Sequence, residues 1–408
     1  MTITETESLL DLFEPEWSGR TYEFYSALRG RNPVHWDDLM RSWVVLSHAD
    51  IAALSKDDRL SGARIGEFHA ALPPESRADM APLAAILQDM MLFREPPEHT
   101  RLRRLIRPGL TPRFIRTVRS MIEELADELL DRVVPTGRMD VIHDFSEPLT
   151  RGVIALLAGV PAHAAHLLKD WRGLLPEFFS QSSAEMSRLT ALREVFDAGA
   201  EQRRSGAGDD LFTQMISAQL RDGEYTEDEV FANFLLLIDA GQATTTHLVG
   251  NAALALLDHP EQADLLRQRP ELAGNAAYEF LRYDSSVQFT TRVATADIEV
   301  AGRHIRGGDT VTLVLGAGNH DPARYTDPDR LDLTRKATDH LSFGHGIHFC
   351  LGAALALTEI EIAMHRLVQR TRNWRLEGGE PSWLDSVNFR FLNALPIRFD
   401  ERKPGEAA

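Results

Sequence analysis

The sequence predicts a mainly α-helical protein with small β-sheets, folded as a single domain over residues 1–408. Long segments carry apolar residues at three-to-four spacing, which is typical of amphipathic helices. Two shorter segments are rich in β-branched residues, as strands are. No internal repeat and no Pro/Gly/Ser-rich linker divides the chain, so one large domain is favoured over two.

The predicted elements follow in chain order. A first β-rich segment covers residues 43–46, and a second covers 293–314, where glycines at 302 and at 307–308 predict turns between short strands. The amphipathic segments, each predicted to form a helix, are 114–134, 184–204, 226–257, 260–283 and 351–370.

Charge and hydropathy exclude some classes of protein. The formal net charge of −17 argues against general nucleic-acid binding. No apolar run approaches the roughly 18 to 20 residues that span a bilayer, so we expect no membrane insertion. The first residues lack the basic and apolar regions of a secretory signal, which predicts a cytoplasmic protein. We expect a monomer.

Cys350 is the sole cysteine, so no internal disulfide can form. It lies in the segment Phe-Gly-His-Gly-Ile-His-Phe-Cys-Leu-Gly, residues 343–352, directly before a strongly helical stretch. Glycines let the backbone turn tightly and approach a large flat ligand. A cysteine at a helix start is favoured as the thiolate, the form that binds a metal. The segment therefore predicts a metal-ligand site at Cys350.

Two other interpretations of Cys350 stay open at this point. A lone cysteine is commonly a buried hydrophobic residue without chemistry. Alternatively, His345, His348 and Cys350 could bind zinc, although zinc sites usually have a fourth protein ligand or an open catalytic position.

The segment resembles the haem-binding loop of cytochromes P450, in which Phe, two Gly, a His or Arg, the Cys and a further Gly recur at this spacing, and the resemblance covers nearly the whole chain. It implies the cytochrome P450 fold, a single triangular domain with haem between a long central helix and the cysteine loop. It also implies haem b, with Phe343 and Gly344 in the cofactor loop and Cys350 as the axial thiolate that favours O–O cleavage.

Four further residues resemble positions that bind the haem propionates in this family. His99 and Arg103 are four residues apart on one helical face, Arg292 follows two threonines, and His348 precedes the cysteine by two. Together they would hold two carboxylates by charge-assisted hydrogen bonds. Glu279 and Arg282, which alone would read as an exposed ion pair, resemble the Glu-x-x-Arg element that supports the haem-loop side of the fold.

Residues 235–247 place a glycine and three threonines inside a long predicted helix, where their propensity is poor. A threonine here commonly bonds to the carbonyl four residues back, which for Thr244 is that of Ala240. In the family the matching segment crosses above the haem. The resemblance therefore implies that Gly241, Gln242, Ala243 and Thr244 form the oxygen-activating site.

Ala243 departs from the family pattern, which usually has Asp or Glu before the threonine. Monooxygenation consumes two protons, which would then come through Thr244 and waters, through Gln242 as a water holder, or from the substrate. Alternatively the oxidation is atypical: oxidative coupling, nitration, desaturation or peroxygenation. A less favoured alternative is a haem binder without enzymatic activity.

The resemblance implies a bacterial monooxygenase of specialised metabolism that uses O2 to hydroxylate or epoxidise a small molecule, either free or tethered to a carrier. By match, Leu237, Ala240, Val287 and Phe391 would line an apolar substrate pocket, roofed by residues 61–93 and 176–189.

Arginines crowd residues 101–119 of an otherwise acidic protein. Such a basic patch can steer an acidic partner. Because the family binds its electron donor on this side, we expect a ferredoxin or flavodoxin to dock near Arg101, Arg104 and Arg107.

Overall fold

The computed structural model describes residues 8–17, 19–169, 174, 178, 186–204 and 210–402. Helices dominate these residues, as the periodicity predicts. The α-helices are α1 (Thr21–Arg31), α2 (His48–Leu54), α3 (Ile65–Ala71), α4 (Pro74–Asp89), α5 (Glu98–Ile106), α6 (Pro112–Val133), α7 (Glu147–Leu157), α8 (Met186–Arg204), α9 (Leu211–Asp222), α10 (Glu227–Asp258), α11 (Pro260–Gln268), α12 (Ala273–Tyr283), α13 (Leu315–Asn319) and α14 (Ala353–Arg370).

Short strands form small sheets beside the helices. The strands are β1 (Val34–Asp37), β2 (Ser42–Val45), β3 (Leu60–Ser61), β4 (Arg138–Asp140), β5 (Thr290–Ala294), β6 (Ile298–Val300), β7 (Arg303–Ile305), β8 (Thr310–Leu313), β9 (Thr371–Leu376) and β10 (Pro396–Glu401). One sheet has the order β1-β2-β8-β5-β3, another β4-β10-β9, and β6 pairs with β7. In the first sheet β2 and β8 run parallel, and the other pairs are antiparallel.

Helix α10 is the structural axis of the fold. Thr226 and Glu229 form a capping box at its start, where three acidic residues also complement the helix dipole. Its 32 residues span about 48 Å at the α-helical rise. It packs against α4, α7, α14 and a short π-helical segment, Val141–Ser146. Most of its residues are buried.

The main departure from the predicted elements lies in residues 260–283. The periodicity predicts one helix there, whereas the chain forms α11 and α12 with a 3-10 turn, Pro270–Leu272, between them. Pro270 lacks the amide hydrogen that a continuous helix needs and clashes with the preceding turn. The other long helices and both β-rich segments are confirmed, with ends shifted by a few residues.

The described helices include none with the length and hydropathy needed to cross a membrane. The largest hydrophobic cluster joins α10 to α4, α6, α7, α12 and α14, and a second lies under the five-stranded sheet. The segment containing Cys350 enters α14, and β5 of the five-stranded sheet carries Arg292. The fold thus brings the cysteine segment, α5 and β5 to one region.

Candidate functional site

The cysteine loop, residues 343–352, is a tight turn closed by backbone hydrogen bonds. The amide of Cys350 donates to the carbonyl of Phe343 at 2.9 Å, and the amide of Gly344 donates to that of Leu341 at 2.7 Å. Gly344 and Gly346 adopt positive φ angles of 66° and 72°. A Cβ atom at Gly346 would lie 2.5 Å from the carbonyl oxygen of Ser55, so this position requires glycine.

Cys350 lies near the end of this loop and is half-buried as a residue. Burial raises its pKa, and this outweighs the lowering by the amide of Gly352 and the nearby cation Arg103. The helix-start contribution predicted from sequence is therefore present but smaller than desolvation. Coordination to a metal ion would deprotonate the thiol.

The structure does not support the interpretation of His345, His348 and Cys350 as zinc ligands. Nowhere in the described residues do three or more His, Cys, Asp or Glu side chains converge as metal ligands do. His348 instead lies 3.3 Å from a carboxylate oxygen of Glu95.

Beside the cysteine loop, α5 contributes His99 and Arg103, which the helix places one turn apart. His99 is buried, and its Nδ1 atom has no hydrogen-bond partner in the described residues. Its ring lies 4.7 Å from that of His348, centroid to centroid. Burial, and to a smaller extent His348 and Arg103, lower the pKa of His99 to about 4. Arg103 Nη2 donates to the carbonyl of Phe349 at 2.9 Å, which ties α5 to the loop.

Arg292, on β5, lies beside a second arginine that the sequence analysis did not identify. Arg292 Nη1 and Arg64 Nη1 both donate to the carbonyl oxygen of Thr291, at 2.9 and 2.8 Å. Burial, followed by the charge of Arg292, lowers the pKa of Arg64 to about 10. Neither guanidinium forms an ion pair within the described residues. Two cations that share one neutral acceptor leave a place for an anion.

Glu95 is the acid of this region. It accepts hydrogen bonds from the amide of Gly62 at 2.6 Å and from the hydroxyl of Ser61 at 3.1 Å. Burial acts to raise its pKa, but the bonds from His348 and Gly62 outweigh it, so the pKa is lowered. One carboxylate thus faces a larger set of cations and donors, namely Arg64, His99, Arg103, Arg292 and His348.

The excess of cations and donors over carboxylates in this region fits a haem, which carries two propionates. Partly buried guanidinium groups without an ion-pair partner in the described residues, and a buried imidazole nitrogen without a hydrogen-bond partner there, are costly unless a bound group supplies acceptors. The haem carboxylates would supply those acceptors, next to a cysteine that can bind the iron. The donor set that the structure assembles therefore fits the cofactor implied by the sequence.

Glu279 and Arg282 form a fully buried ion pair, not an exposed one. Both side chains are 0% exposed, and the guanidinium binds both carboxylate oxygens at 2.8 Å. Arg282 also donates to the carbonyls of Asn319 and Pro328, at 3.0 and 2.7 Å. The pair therefore fastens α12 to the chain that leads into the cysteine loop.

In the middle of α10, between residues 237 and 247, the accessible positions other than Asp239 form one stripe. Leu237, Ala240, Gly241, Thr244 and His247 are partly or fully accessible, whereas Gln242, Ala243, Thr245 and Thr246 are buried. The accessible residues recur at three-to-four spacing, so they share one face. Thr244 Oγ1 donates to the carbonyl of Ala240 at 2.6 Å, as expected for a threonine inside a helix.

The neighbours of Thr244 face other elements. Gln242 Nε2 donates to the carbonyl of Leu168 at 2.8 Å, so this side chain is directed away from the stripe. Gly241 is explained by packing, because a Cβ atom there would lie 2.3 Å from Ile154 Cδ1 on α7. Ala243 is buried and has no group that could transfer a proton.

The residues matched to the substrate pocket lie on α10 and on two segments outside the named helices and strands. Leu237 and Ala240 belong to the α10 stripe. Phe391 stacks on the ring of His247, with centroids 4.1 Å apart, and Phe389 stacks on Phe391 at 4.7 Å. Val287 forms a β-bridge with Phe389 and is partly accessible. Of the expected roof segment 176–189, only Phe178 and residues 186–189 belong to the described part of the chain.

The predicted docking arginines differ in their availability. Arg101 is engaged by Glu229, which accepts from Nη1 at 2.9 Å. Arg104 is exposed and has only a distant contact, 3.8 Å, with Glu224, and Arg107 is exposed as well. The cysteine loop adds two exposed apolar side chains, Ile347 and Phe349, at 47% and 42% exposure.

Sequence reasoning missed Arg64, Glu95 and His247. Arg64 and Glu95 are distant in sequence from the cysteine loop, and no local pattern links them to it. A signal for His247 is present, because it follows Thr244 by three residues and so shares its helix face.

Comparisons with known proteins agree with this geometry. The family model described as Cytochrome P450 matches residues 162–382. The Biotin biosynthesis cytochrome P450 of Bacillus subtilis (strain 168) is 36% identical over 394 residues, covering 94% of this chain and 98% of that protein. The Vitamin D(3) 25-hydroxylase of Pseudonocardia autotrophica is 34% identical over 408 residues, covering 98% and 99%.

A solved structure shows the same fold. P450BioI, in complex with a hexadec-9Z-enoic acid ligated acyl carrier protein, superposes with a TM-score of 0.82 at 35% identity, over 94% of this chain and 100% of that one. The shared fold, the relatives and the cysteine loop lead to one conclusion: the chain belongs to the cytochrome P450 family and is a monooxygenase of that family, which implies haem with a cysteine thiolate ligand.

Proposed function

We propose that this protein hydroxylates or epoxidises a small intermediate of bacterial specialised metabolism, using O2 and electrons from a ferredoxin. The observation that carries the proposal is the sole cysteine, held in a glycine turn beside cations that lack counter-charges. The substrate is an apolar small molecule, since Leu237, Ala240, Val287 and Phe391 line the proposed pocket. The protein is proposed to act in the cytoplasm, as a monomer folded as one domain.

Haem, when bound, supplies the iron at which O2 is reduced and its O–O bond is broken. Cys350 would provide the thiolate that binds the iron, and Phe343 and Gly344 shape the loop that presents it. His99, Arg103, Arg292 and His348 would donate to the propionates, and Arg64 would join Arg292 in doing so. These bonds would hold the cofactor against the loop.

The α10 stripe forms the opposite wall of the site. Thr244 uses its hydroxyl hydrogen on the carbonyl of Ala240, which leaves the hydroxyl oxygen free to accept a hydrogen bond from the accessible face. Thr244 can therefore hold a water on this face. The overall reaction is RH + O2 + 2e⁻ + 2H⁺ → ROH + H2O, so two protons must reach this wall.

The absorption spectrum of the reduced protein with carbon monoxide tests the proposal directly. A haem with an axial thiolate gives a strongly red-shifted Soret band, and Cys350→His should abolish it while haem is retained. Zinc found by elemental analysis in a protein without haem would contradict the proposal.

We propose that the electron donor docks on the face that carries Arg104, Arg107 and the two exposed apolar residues of the cysteine loop. Combining Arg104→Glu with Arg107→Glu should slow ferredoxin-driven haem reduction by roughly tenfold or more at low salt, because electrostatic steering raises association rates about 10- to 1,000-fold. Arg132→Glu, at the far end of α6, is the matched control. An unchanged reduction rate in the double variant would contradict the proposal that the electron donor docks on this face.

The substrate is proposed to arrive free or on a carrier protein, and a titration separates the two. The relative P450BioI binds an acyl chain on its carrier. Myristic acid and the same acyl chain on acyl carrier protein serve as probes, with the ferric spectrum as readout. A low-to-high-spin shift with the carrier form alone would identify a tethered substrate, whereas a shift with the free acid would identify a free one.

A second candidate function is an atypical oxidation on the same haem, namely oxidative coupling, nitration, desaturation or peroxygenation. Ala243 favours it, because the buried position before Thr244 offers no acid. Turnover with 18O2 distinguishes the two candidates. Incorporation of one labelled oxygen atom per product supports monooxygenation, and an unlabelled product supports coupling or desaturation.

A further inference from the structure

His247 is the one titratable side chain on the α10 stripe in the described part of the chain. It lies one helical turn beyond Thr244, and side chains three residues apart on a helix are neighbours, about 5 to 6 Å between Cβ atoms. Two protons are consumed for each oxygen atom inserted. Thr244 can pass protons on but cannot store one, and Gln242 is directed towards Leu168.

The ring of His247 is held in place, but its nitrogens are unused. It stacks on Phe391 with an interplanar angle of 16°. Nδ1 is fully buried and has no hydrogen-bond partner in the described residues, and no hydrogen bond is formed there by the other ring nitrogen either. A buried polar atom without a partner is costly, so one that persists indicates a missing water or ligand.

An exposed histidine lies on an element that packs against α10 close to His247. The π-helical segment Val141–Ser146 packs on α10, close enough that a Cβ atom at Gly250 would lie 2.4 Å from Ile142 Cδ1. The next residue of that segment, His143, is exposed, and its charge acts on the ring of His247. An exposed imidazole is therefore near the buried one, at the point where Gly250 lets the two elements approach.

We propose that His247 is a proton-relay residue, which passes protons from solvent near His143 to Thr244 and the water it holds. This inference rests on the proposed function. In this proposal His247 does not contact the substrate. It acts through Thr244 and water, and we call it a positioning residue for that reason.

The chemical state of His247 suits this role. Burial, with a smaller contribution from His143, lowers the pKa of His247 to about 3, so the ring is neutral at physiological pH. A neutral imidazole donates from one nitrogen and accepts at the other. It can therefore pick up a proton at one nitrogen and release one from the other. The charge of the ring is then unchanged, and the ring is left in its other neutral tautomer, which must convert back before the next transfer.

Two variants separate the relay from packing. His247→Phe keeps an aromatic ring against Phe391 and removes both nitrogens, and His247→Gln keeps polarity if the phenylalanine variant folds poorly. His143→Gln interrupts the path at the surface. His304→Gln, an exposed histidine on the β6–β7 hairpin, is the control.

The first readout is the infrared stretch of carbon monoxide on the reduced protein, which requires no turnover. Removing a donor network that reaches the distal ligand should move the stretch to higher frequency in His247→Phe, and less in His247→Gln, whose amide can still donate. The stretch should be unchanged in His304→Gln. The second readout is the share of electrons recovered as hydrogen peroxide with a surrogate ferredoxin and myristic acid as the probe. That share should rise for both His247 variants and less for His143→Gln.

The outcomes are distinguishable. If the wild-type protein lacks a haem-thiolate spectrum, the proposed function fails before any variant is compared. If the spectrum is present and both His247 variants match wild type in the carbon monoxide stretch and in peroxide release, only the relay is overturned.

Discussion

The cysteine side of the site is assembled from segments distant in sequence, whereas the oxygen side is carried mainly by one helix. On the cysteine side, the loop, α5, β5 and Arg64 meet through hydrogen bonds to backbone carbonyls, as between Arg103 and Phe349. On the oxygen side, α10 presents a stripe whose shape depends on single residues such as Ala240 and Thr244. Substitutions on the cysteine side should therefore affect stability and haem retention. Substitutions on the oxygen side should affect how many electrons end in product and how many in hydrogen peroxide.

The largest effect is expected at the buried ion pair that supports the cysteine side. Arg282→Met should reduce the free energy of unfolding by about 3 kcal/mol or more, because Glu279 loses its fully buried partner and keeps only Arg335 as a cation. The carbonyls of Asn319 and Pro328 also lose their donor. Arg20→Met is the matched control, since Arg20 and Glu23 form an exposed pair at the same spacing, and an exposed pair should contribute little to stability. Urea unfolding measures both, and equal losses would contradict the structural role of the buried pair.

The next effect concerns the pH dependence of stability near the cysteine loop. Burial lowers the pKa of His340 to about 4, and its Nδ1 accepts from the amide of Ser342. Between about pH 6.5 and pH 4 the unfolded chain binds a proton that the folded chain does not, so stability falls as the pH falls through this window. The loss from this group approaches roughly 3 kcal/mol.

His340→Gln keeps an acceptor for Ser342 and should flatten that dependence. Urea midpoints at pH 7 and pH 4.5 provide the comparison, with His166→Gln, an exposed histidine, as the control. An equally steep loss in His340→Gln would show that other groups control the acid sensitivity.

A smaller effect, on cofactor retention, is expected at Arg64. Arg64→Gln should speed the transfer of haem to apomyoglobin by roughly tenfold or more, since a hydrogen bond to a charged group contributes about 1.5–3 kcal/mol. Arg77→Gln is the control, because Arg77 also donates to one carbonyl, that of Leu72. Transfer at the wild-type rate would mean that the Arg64–Arg292 pair does not bind a propionate.

The smallest effect is expected at Ala243, on the oxygen side. If His247 relays protons, Ala243→Asp should change product per electron little in the wild type and should partly restore it in His247→Phe. Product and peroxide, measured per electron from the surrogate ferredoxin, test this. A large gain in the wild-type background would show that proton supply is incomplete without an acid at this position.

On the cysteine side, the sequence predicts those features that depend on residues close together in the chain, and it does not predict contacts between distant segments. The turn around Cys350 depends on two glycines within a few residues, Gly344 and Gly346, whose positive φ angles favour glycine, so the motif carries this structural reason itself. The close approach of Gly346 to Ser55 is a contact between distant parts of the chain and has no local signal. Arg64 and Arg292 lie side by side because the strand β5 packs next to the segment before α3. No local sequence pattern predicts this contact.

On the oxygen side, too, the sequence predicts the local structure but not the contacts with other elements. Periodicity predicts α10, and the bond from Thr244 to Ala240 follows from helix geometry. Which face of the helix is accessible depends on α7 and the π-helical segment, so the direction of Gln242 towards Leu168 and the stacking of His247 on Phe391 could not be read from the sequence. Pro270, by contrast, was a local signal for the break between α11 and α12.

The excess of cations beside the cysteine loop has a consequence for how the protein accumulates in a cell. Without haem, those charges repel one another, so folding to the final state is coupled to capture of the cofactor, and binding adds to stability by mass action. Chains synthesised faster than haem is supplied would populate a less stable form that proteases remove. The amount of enzyme in the cell would then follow haem supply as well as gene expression.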